Sequence, residues 1–250
     1  MKKIIETIKN IWRIEDLRVR ILITLLFVAI YRFGSFIVLP GIDPGRLAKL
    51  QEQTSEGLMS LLNMFSGGAF SNASIFALGI MPYISASIVI QLLAIAVPYF
   101  QKMQREGESG RRKINQYTRY LTIAILLFQA PTYLINLKAQ TAGSGAFLVG
   151  DGFWFMFSST VILAAGSMFI LWLGERITDK GIGNGVSLII MIGIIARMPT
   201  AITQEFVTAL SGAEGGGLIK FLFEIVALLF VMALAIMLVK ATRKVPVQYA

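Results

Sequence analysis

Residues 73–93 read ASIFALGIMPYISASIVIQLL, an almost unbroken apolar stretch with no Asp, Glu, Lys or Arg. A helix needs about 20 predominantly apolar residues to cross the hydrocarbon core of a bilayer. Six long apolar runs occur in the sequence, at about 21–39, 75–97, 117–137, 153–174, 186–204 and 218–239. Of the 250 residues 56% are hydrophobic and 15% are charged, a far more apolar balance than that of soluble domains. The sequence therefore predicts an all-α, polytopic integral membrane protein built as a helical bundle.

The basic residues predict the orientation of these spans. Of the 23 Lys and Arg, 17 lie in the N-terminal segment and in every second connection, and 6 lie in the other connections or in the runs themselves. Because Lys and Arg accumulate in cytoplasmic loops, both ends of these 250 residues are expected to face the cytoplasm. Residues 1–20 are expected to form an amphipathic helix on that surface, since Ile4, Ile8 and Ile11 share a face opposite Lys2 and Lys9.

Between the first two runs lies a segment that is too short and too broken to span. Residues 57–72 read GLMSLLNMFSGGAFSN. Apolar residues recur at helical spacing at Leu58, Leu61, Leu62 and Phe65, and glycines follow at positions 67 and 68. The spacing predicts a half-helix that ends at these glycines. Two placements stay open, namely a helix on the outer membrane surface and a re-entrant piece that fills a cavity.

The residues that most catalytic and metal sites use are missing. The sequence contains no Cys and no His, which removes Cys-His and Ser-His nucleophiles and the common zinc arrangements. Among the acidic residues only Glu224 lies clearly inside an apolar run. An intramembrane enzyme or an ion-coupled transporter would need ionisable groups at depth. Arg32 and Arg197 are interpreted as reaching the outer interface. We therefore expect no catalytic, cofactor or metal site.

Two long segments resemble signature stretches of the SecY family. They are residues 73–93, quoted above, and residues 171–193, LWLGERITDKGIGNGVSLIIMIG. GESGRRKINQYTRY at 107–120 is similar to the family's basic loop after the second span, and RKVPVQYA at 243–250 to the opening of its large cytoplasmic loop. The resemblance extends from the first span to the last residue. It implies the central pore subunit of a Sec protein-conducting channel, which moves unfolded chains outward and releases membrane segments sideways.

The resemblance also implies roles for particular residues. The ring of branched apolar side chains at the waist of the pore corresponds to Ile80, Ile84, Val186 and Ile190. The plug, a short re-entrant helix at 57–72, corresponds to Leu58, Leu61, Leu62, Met64, Phe65, Gly67 and Gly68. The lateral gate corresponds to Met81, Ser85 and Gln91, and the contact with the ribosome or the SecA motor to Arg111, Arg112, Arg243 and Lys244. Val in place of Ile at position 186 departs slightly from the family's ring.

The family also implies partners and an organisation in two halves. Expected partners are SecE, SecG, SecA, the ribosome through its rRNA, unfolded preproteins with their signal sequences, and the lipids of the bacterial inner membrane. Because the family has ten spans, these residues are expected to be a truncated piece. Residues 21–206 would form an N-terminal half of five spans, 207–240 the sixth span, and 241–250 the start of a cytoplasmic loop. The alternative is a small-solute secondary transporter, and an intramembrane enzyme is the third class.

Overall fold

The computed structural model describes residues 12–47, 63–141, 146–148, 152–211 and 217–241. Within these ranges the chain forms seven α-helices and one short 3-10 helix at Pro44–Arg46. The helices are α1 (Glu15–Gly34), α2 (Met81–Ala96), α3 (Pro98–Arg105), α4 (Glu108–Gln140), α5 (Phe153–Lys180), α6 (Gly185–Ser211) and α7 (Gly217–Lys240). The extended pairings among the described residues are two isolated bridges, Val38 with Ser74 and Ile42 with Phe147. The predicted all-α fold is confirmed.

Several of these helices are long and apolar enough to cross a membrane. Four meet that test, namely α4, α5, α6 and α7, and α2 with α3 makes a fifth if this pair is one span bent by 98°. The bend lies at Val97, whose extended backbone precedes the proline that begins α3. The chain is thus a multi-pass membrane protein. The predicted first span, 21–39, falls on α1, which ends at Gly34 and carries five charged residues, so its crossing stays a prediction.

The N-terminal surface helix and the basic loop differ from their predicted forms. Residues 15–20, assigned from the sequence to a surface helix, are the first turns of α1, and residues 1–11 lie outside the described ranges. Likewise most of the basic segment 107–120 is not a loop, because α4 begins at Glu108. Its basic residues therefore stand on the first turns of a 33-residue helix.

The second apolar run, 75–97, is helical only from Met81 onward. Before it the chain turns repeatedly, with positive φ at Gly67, Gly68, Ala73 and Gly79. The backbone of this stretch bonds elsewhere, since Leu39 N–H donates to the carbonyl of Ala73 at 2.9 Å and Ile75 N–H to that of Ile37 at 2.9 Å. These long-range bonds use the groups that a helix would need, so the apolar pattern alone does not make residues 73–80 helical. Pro82, in the first turn of α2, favours the helix start observed there.

The chain forms two compact units, one of residues 1–197 and one of residues 198–250. In the first unit a large apolar cluster joins Leu39, Phe70, Leu126, Leu134 and Leu163. It packs the turns before α2 against the middle of α4 and α5. In the second unit α7 buries none of its residues, and an edge-to-face pair, Phe206 with Phe221, joins it to the end of α6.

A close glycine contact joins α5 to α6. A Cβ added at Gly185 would stand 2.0 Å from the carbonyl oxygen of Gly174, so only glycine fits at the start of α6. The backbone N–H of Gly185 also donates to Oγ1 of Thr178 at 2.8 Å. Gly183, in the connection between the helices, has φ +73. The glycine-rich sequence at 181–185 is thus a tight turn that places Val186 on the first turn of α6.

Candidate functional site

The four predicted ring residues lie in one apolar cluster. Ile80 is 5% exposed and belongs to the core of this cluster, and Ile84, Val186 and Ile190 pack against it half-buried. Ile80 stands just before α2, and the N–H of Ile84 donates to its carbonyl at 3.1 Å, so the two residues are one turn apart despite the late helix start. Two helices that are distant in sequence therefore present branched aliphatic side chains to a common surface.

A cavity runs along one side of this cluster. It has a volume of about 280 Å³, and Ile84 and Val186 line it together with polar groups of α2 and of the turn before α6. Those polar groups are Ser87, Gln91, Asn184 and Ser187, with Tyr83 and Ile88 completing the wall. One ring residue of α2, Ile84, and one of α6, Val186, therefore line the same cavity.

The three lateral-gate residues lie on α2, at different exposures. Met81 is half-buried in the first turn, whereas Ser85 and Gln91 are exposed. The side-chain amide of Gln91 donates to the hydroxyl of Ser87 at 3.2 Å, within the cavity described above. Gln91 thus adjoins the same cavity as Ile84 and Val186.

A second, more polar cavity of about 320 Å³ shares Tyr83, Asn184 and Val186 with the first. Arg119 of α4 and Glu175 of α5 meet in its wall, with Nη2 2.7 Å from both carboxylate oxygens and Nε 3.1 Å from Oε1. Such bidentate geometry fixes both side chains. The ion pair joins α4 to α5 and lines the same cavity as Tyr83, the residue of α2 that precedes Ile84.

The described part of the predicted plug is a compact turn, residues 63–72, which we call the plug turn. Residues 63–65 are helical, and Gly67 and Gly68 follow with φ +64 and +91. Asn63 organises the turn, since its carbonyl accepts from Gly68 N–H at 2.9 Å and its side-chain oxygen from Ser71 N–H at 3.1 Å. The positive φ values are those that end a helix at glycine.

The plug turn packs directly against α6. A Cβ added at Gly67 would stand 3.0 Å from Cα of Gly193, and one added at Gly193 would stand 3.0 Å from the carbonyl oxygen of Phe65. The turn also contacts α4, where Tyr133 donates its hydroxyl to the carbonyl of Phe70 at 2.8 Å and the two rings meet edge to face. Glycine on both surfaces permits this backbone approach, and Met64 remains 38% exposed.

Two arginines contact the plug turn. Arg32, on the last turn of α1, donates from Nη1 to the carbonyl of Gly67 at 2.9 Å. Arg197, on α6, donates from Nη2 to the hydroxyl of Ser71 at 3.3 Å. The interpretation of both as interface residues therefore missed their acceptors, which lie 35 and 126 residues away in sequence.

Some predicted residues cannot be compared with the structure. Leu58, Leu61 and Leu62 of the plug, and Arg243 and Lys244 of the proposed contact, lie outside the described ranges. Arg111 and Arg112 are exposed on the first turn of α4. Within the described ranges no group of three acidic side chains could hold a metal ion.

Sequence reasoning also missed several residues of the site. It assigned no role to Tyr83, Arg119, Glu175 or Asn63, which line the polar cavity or organise the plug turn. No local signal existed for Asn63, because its side-chain oxygen accepts from the N–H of Ser71, eight residues later, which is farther than an Asx-turn reaches. No local signal links Arg119 to Glu175, which are 56 residues apart.

Comparisons with known proteins agree with one another. The pattern of the SecY family matches residues 74–250. Proteins named "Protein translocase subunit SecY" are similar over nearly the whole chain. The one from Buchnera aphidicola of Schizaphis graminum is 41% identical and covers 100% of this chain and 56% of its own length. That from Escherichia coli K12 is 44% identical, with coverage of 94% and 52%, and that from Rickettsia felis is 43% identical, with coverage of 94% and 54%.

A solved structure is also similar in fold. It is described as Sec61 in the canine ribosome-channel complex from the endoplasmic reticulum, with a TM-score of 0.54 and 18% identity. The match covers 92% of this chain and 49% of that one. The chain thus spans about half the length of the relatives that it matches.

Proposed function

The chain belongs to the SecY family, and from that membership we propose that it forms the first half of the central pore subunit of a protein-conducting channel. The observation that carries the proposal is the apolar cluster in which Ile80, Ile84, Val186 and Ile190 meet beside a cavity. The proposed cargo is an unfolded secretory chain, which passes through the membrane, and a membrane segment, which leaves sideways into lipid.

The apolar character of the ring suits such cargo. A narrow collar of branched aliphatic side chains excludes water when closed, so it blocks ions without a charged filter. Its side chains bind no particular sequence, and they can change rotamer to admit an extended polypeptide. Half-buried Ile84, Val186 and Ile190 have the open side that such movement requires. The remaining wall of the collar would come from the second half of the full-length protein.

The plug turn is proposed to close the pore from the outside. It contacts α6 through Gly67 and Gly193, three residues beyond ring residue Ile190 on the same helix. Its internal hydrogen bonds satisfy many of its polar groups, so it can move as a unit without leaving all of them unpaired. Leu58, Leu61 and Leu62 are proposed to belong to the same plug.

Sideways release is proposed to occur along α2. Met81, Ser85 and Gln91 mix flexible, small and polar side chains, a composition that lets a seam open and accept different signal sequences. Gln91 lies on the cavity that Ile84 and Val186 line. A signal sequence could therefore contact the ring and the gate at the same time.

The proposed setting is the bacterial inner membrane, with both ends of these residues in the cytoplasm. The proposed partners are SecE, SecG, and SecA or the ribosome, which would supply the driving force because this chain is proposed not to be an enzyme. Arg111 and Arg112, with Arg243 and Lys244, are the proposed contacts, since exposed cations bind rRNA phosphates or acidic protein surfaces. The family relatives are named as translocase subunits, and nothing among the described residues favours the small-solute transporter.

The proposed domains follow the sequence analysis. Residues 1–20 would meet the cytoplasmic surface, 21–206 would form the N-terminal half with the plug at 57–72, 207–240 the sixth span, and 241–250 the start of a cytoplasmic loop. These residues are proposed to work with the second half of the pore subunit.

A crosslinking experiment tests the proposed function. In the full-length protein without other cysteines, a single Cys replaces Ile84 or Ile190, and a preprotein with one Cys is stalled during translocation. We expect disulfides from both ring positions. Leu92→Cys, on α2 but 60% exposed, is the matched control and should react far less. Translocation without any ring crosslink, or equal reaction at Leu92→Cys, would contradict the proposal.

A further inference from the structure

Two guanidinium groups hold the plug turn from different helices. Arg32 belongs to α1 and contacts the carbonyl of Gly67, whereas Arg197 belongs to α6 and contacts the hydroxyl of Ser71. The first contact is 2.9 Å and the second 3.3 Å. Arg32 is further positioned by Phe36, whose ring centroid lies 5.0 Å from its Cζ. The contacts lie four residues apart on the turn, so each arginine holds a different point.

The shape of the turn is matched to these two side chains. A Cβ added at Gly67 would stand 3.2 Å from Nη1 of Arg32, and one added at Gly68 would stand 2.8 Å from Nε and Nη2 of Arg197. Both glycines have the positive φ that disfavours other residues. The paired glycines thus leave the space that the two guanidinium groups occupy.

The charge of the two side chains makes release of the turn unfavourable. A cation that is partly removed from water needs hydrogen-bond acceptors, and the plug turn supplies an acceptor to each arginine. If the turn moved away, both guanidinium groups would lose an acceptor at once. Because the arginines stand on α1 and α6, a displacement of one helix relative to the other would break one contact and weaken the hold.

We propose that Arg32 and Arg197 form a latch in which both guanidinium contacts are needed to keep the plug turn closed. The inference rests on the proposed function, since a latch requires that the turn closes a pore. The two arginines are positioning residues. They act on the pore through the turn, and they set how readily a signal sequence opens the channel.

The test uses the full-length protein in its complex, reconstituted in liposomes, with Arg32→Gln, Arg197→Gln and the double variant. The readouts are ion conductance without preprotein, and labelling of Met64→Cys by a membrane-impermeant thiol reagent from outside. Loss of one charged hydrogen bond should raise resting conductance about tenfold. Because neither arginine holds the turn alone, removing the second after the first should add little. The fold-increase in conductance of the double variant should therefore lie well below the product of the two single-variant increases. Arg32→Lys should retain part of the closure.

Two control variants separate a latch from general damage. Arg46→Gln removes another arginine, one that pairs with Asp43 three residues earlier, and it should stay closed. Gly68→Ala reaches the latch without altering either arginine, because its Cβ would displace Arg197, and it should leak. Gly107→Ala has a similar positive φ with nothing within 4 Å of the added Cβ, and it should not leak.

The outcomes distinguish the latch from the proposed function. If the wild type translocates, and the arginine variants keep wild-type conductance and Met64→Cys labelling, the latch is overturned while the pore stands. Equal leakage in Arg46→Gln would also overturn it. If the wild-type complex does not translocate preproteins at all, the proposed function itself fails. Relaxed dependence on the signal sequence in Arg32→Gln and Arg197→Gln would support the latch, since a purely structural defect would lower translocation instead.

Discussion

Replacing Gly67 with alanine should loosen the plug turn without removing any polar group. The residue has φ +64, a left-handed conformation that costs an L-residue about 1–2 kcal/mol. The new Cβ would also stand 3.0 Å from Cα and 3.2 Å from the carbonyl oxygen of Gly193. These neighbours are helix backbone and yield little, and overpacking of this kind costs at least about 1 kcal/mol.

The strain stays with the turn when it moves as a unit, so only the steric cost weakens docking, by about 1 kcal/mol or more, a factor of about 5 between the docked and the undocked forms. The assay is the resting ion conductance of the full-length protein in liposomes. The thermal stability of the purified complex is measured separately. Gly67→Ala should conduct ions in the absence of preprotein.

The matched control is Gly107→Ala. Gly107 has φ +72, and nothing lies within 4 Å of an added Cβ, so the backbone strain is similar and the steric contact is missing. It should lower thermal stability through backbone strain alone, and the channel should remain closed. Wild-type conductance in Gly67→Ala, or equal leakage in Gly107→Ala, would show that backbone contact with α6 does not hold the turn in place.

Two further substitutions probe how the site is held. Tyr133→Phe removes the hydroxyl that donates to the Phe70 carbonyl, so thermal unfolding of the complex should show a loss of about 1 kcal/mol, whereas Tyr120→Phe, at a 68% exposed ring, should show none. Unchanged stability in Tyr133→Phe would mean that this bond does not anchor the turn. Glu175→Gln weakens the ion pair between Glu175, 34% exposed, and Arg119, 47% exposed, and should lower the free energy of unfolding by about 1 kcal/mol or less. A double variant in which Glu and Arg exchange positions should recover most of this stability. If it does not, the loss in Glu175→Gln comes from packing and not from the ion pair.

The helices that the sequence predicted best are those whose apolar run has a clear length. The run at 218–239 became α7, Gly217–Lys240, and the run at 153–174 became the first part of α5. Length is readable because each such segment must satisfy its own backbone hydrogen bonds across the bilayer. The polar ends were less readable, since α5 continues six residues beyond its run as far as Lys180.

The stretch before α2 shows what an apolar pattern leaves open. Residues 73–80 are as apolar as the helix that follows, yet Ala73 has φ +46 and its carbonyl accepts from Leu39 N–H. Partners more than 30 residues away decide this conformation. By contrast, Gly67 and Gly68 predicted the end of the plug helix from the local sequence, because only glycine adopts positive φ without a steric penalty.

The site was predicted only in part, because its contacts also join residues that are distant in sequence. Ile84 and Ile190 came from a resemblance, since aliphatic residues in membrane helices are common and carry no local sign of a pore. Arg32 and Arg197 were visible as cations in apolar runs, but their acceptors belong to another segment. A cation in a span therefore indicates that an acceptor exists, and only the folded chain identifies it.

Resting conductance of ring variants tests whether apolar side chains of α2 and α6 seal a pore. In the full-length complex, Ile84→Asn and Ile190→Asn each introduce a polar group that holds water in the collar. We predict that both conduct ions without preprotein, and that Leu92→Asn, at a position 60% exposed on α2, does not. If both ring variants form intact complexes that are as tight to ions as the wild type, these side chains do not seal a pore.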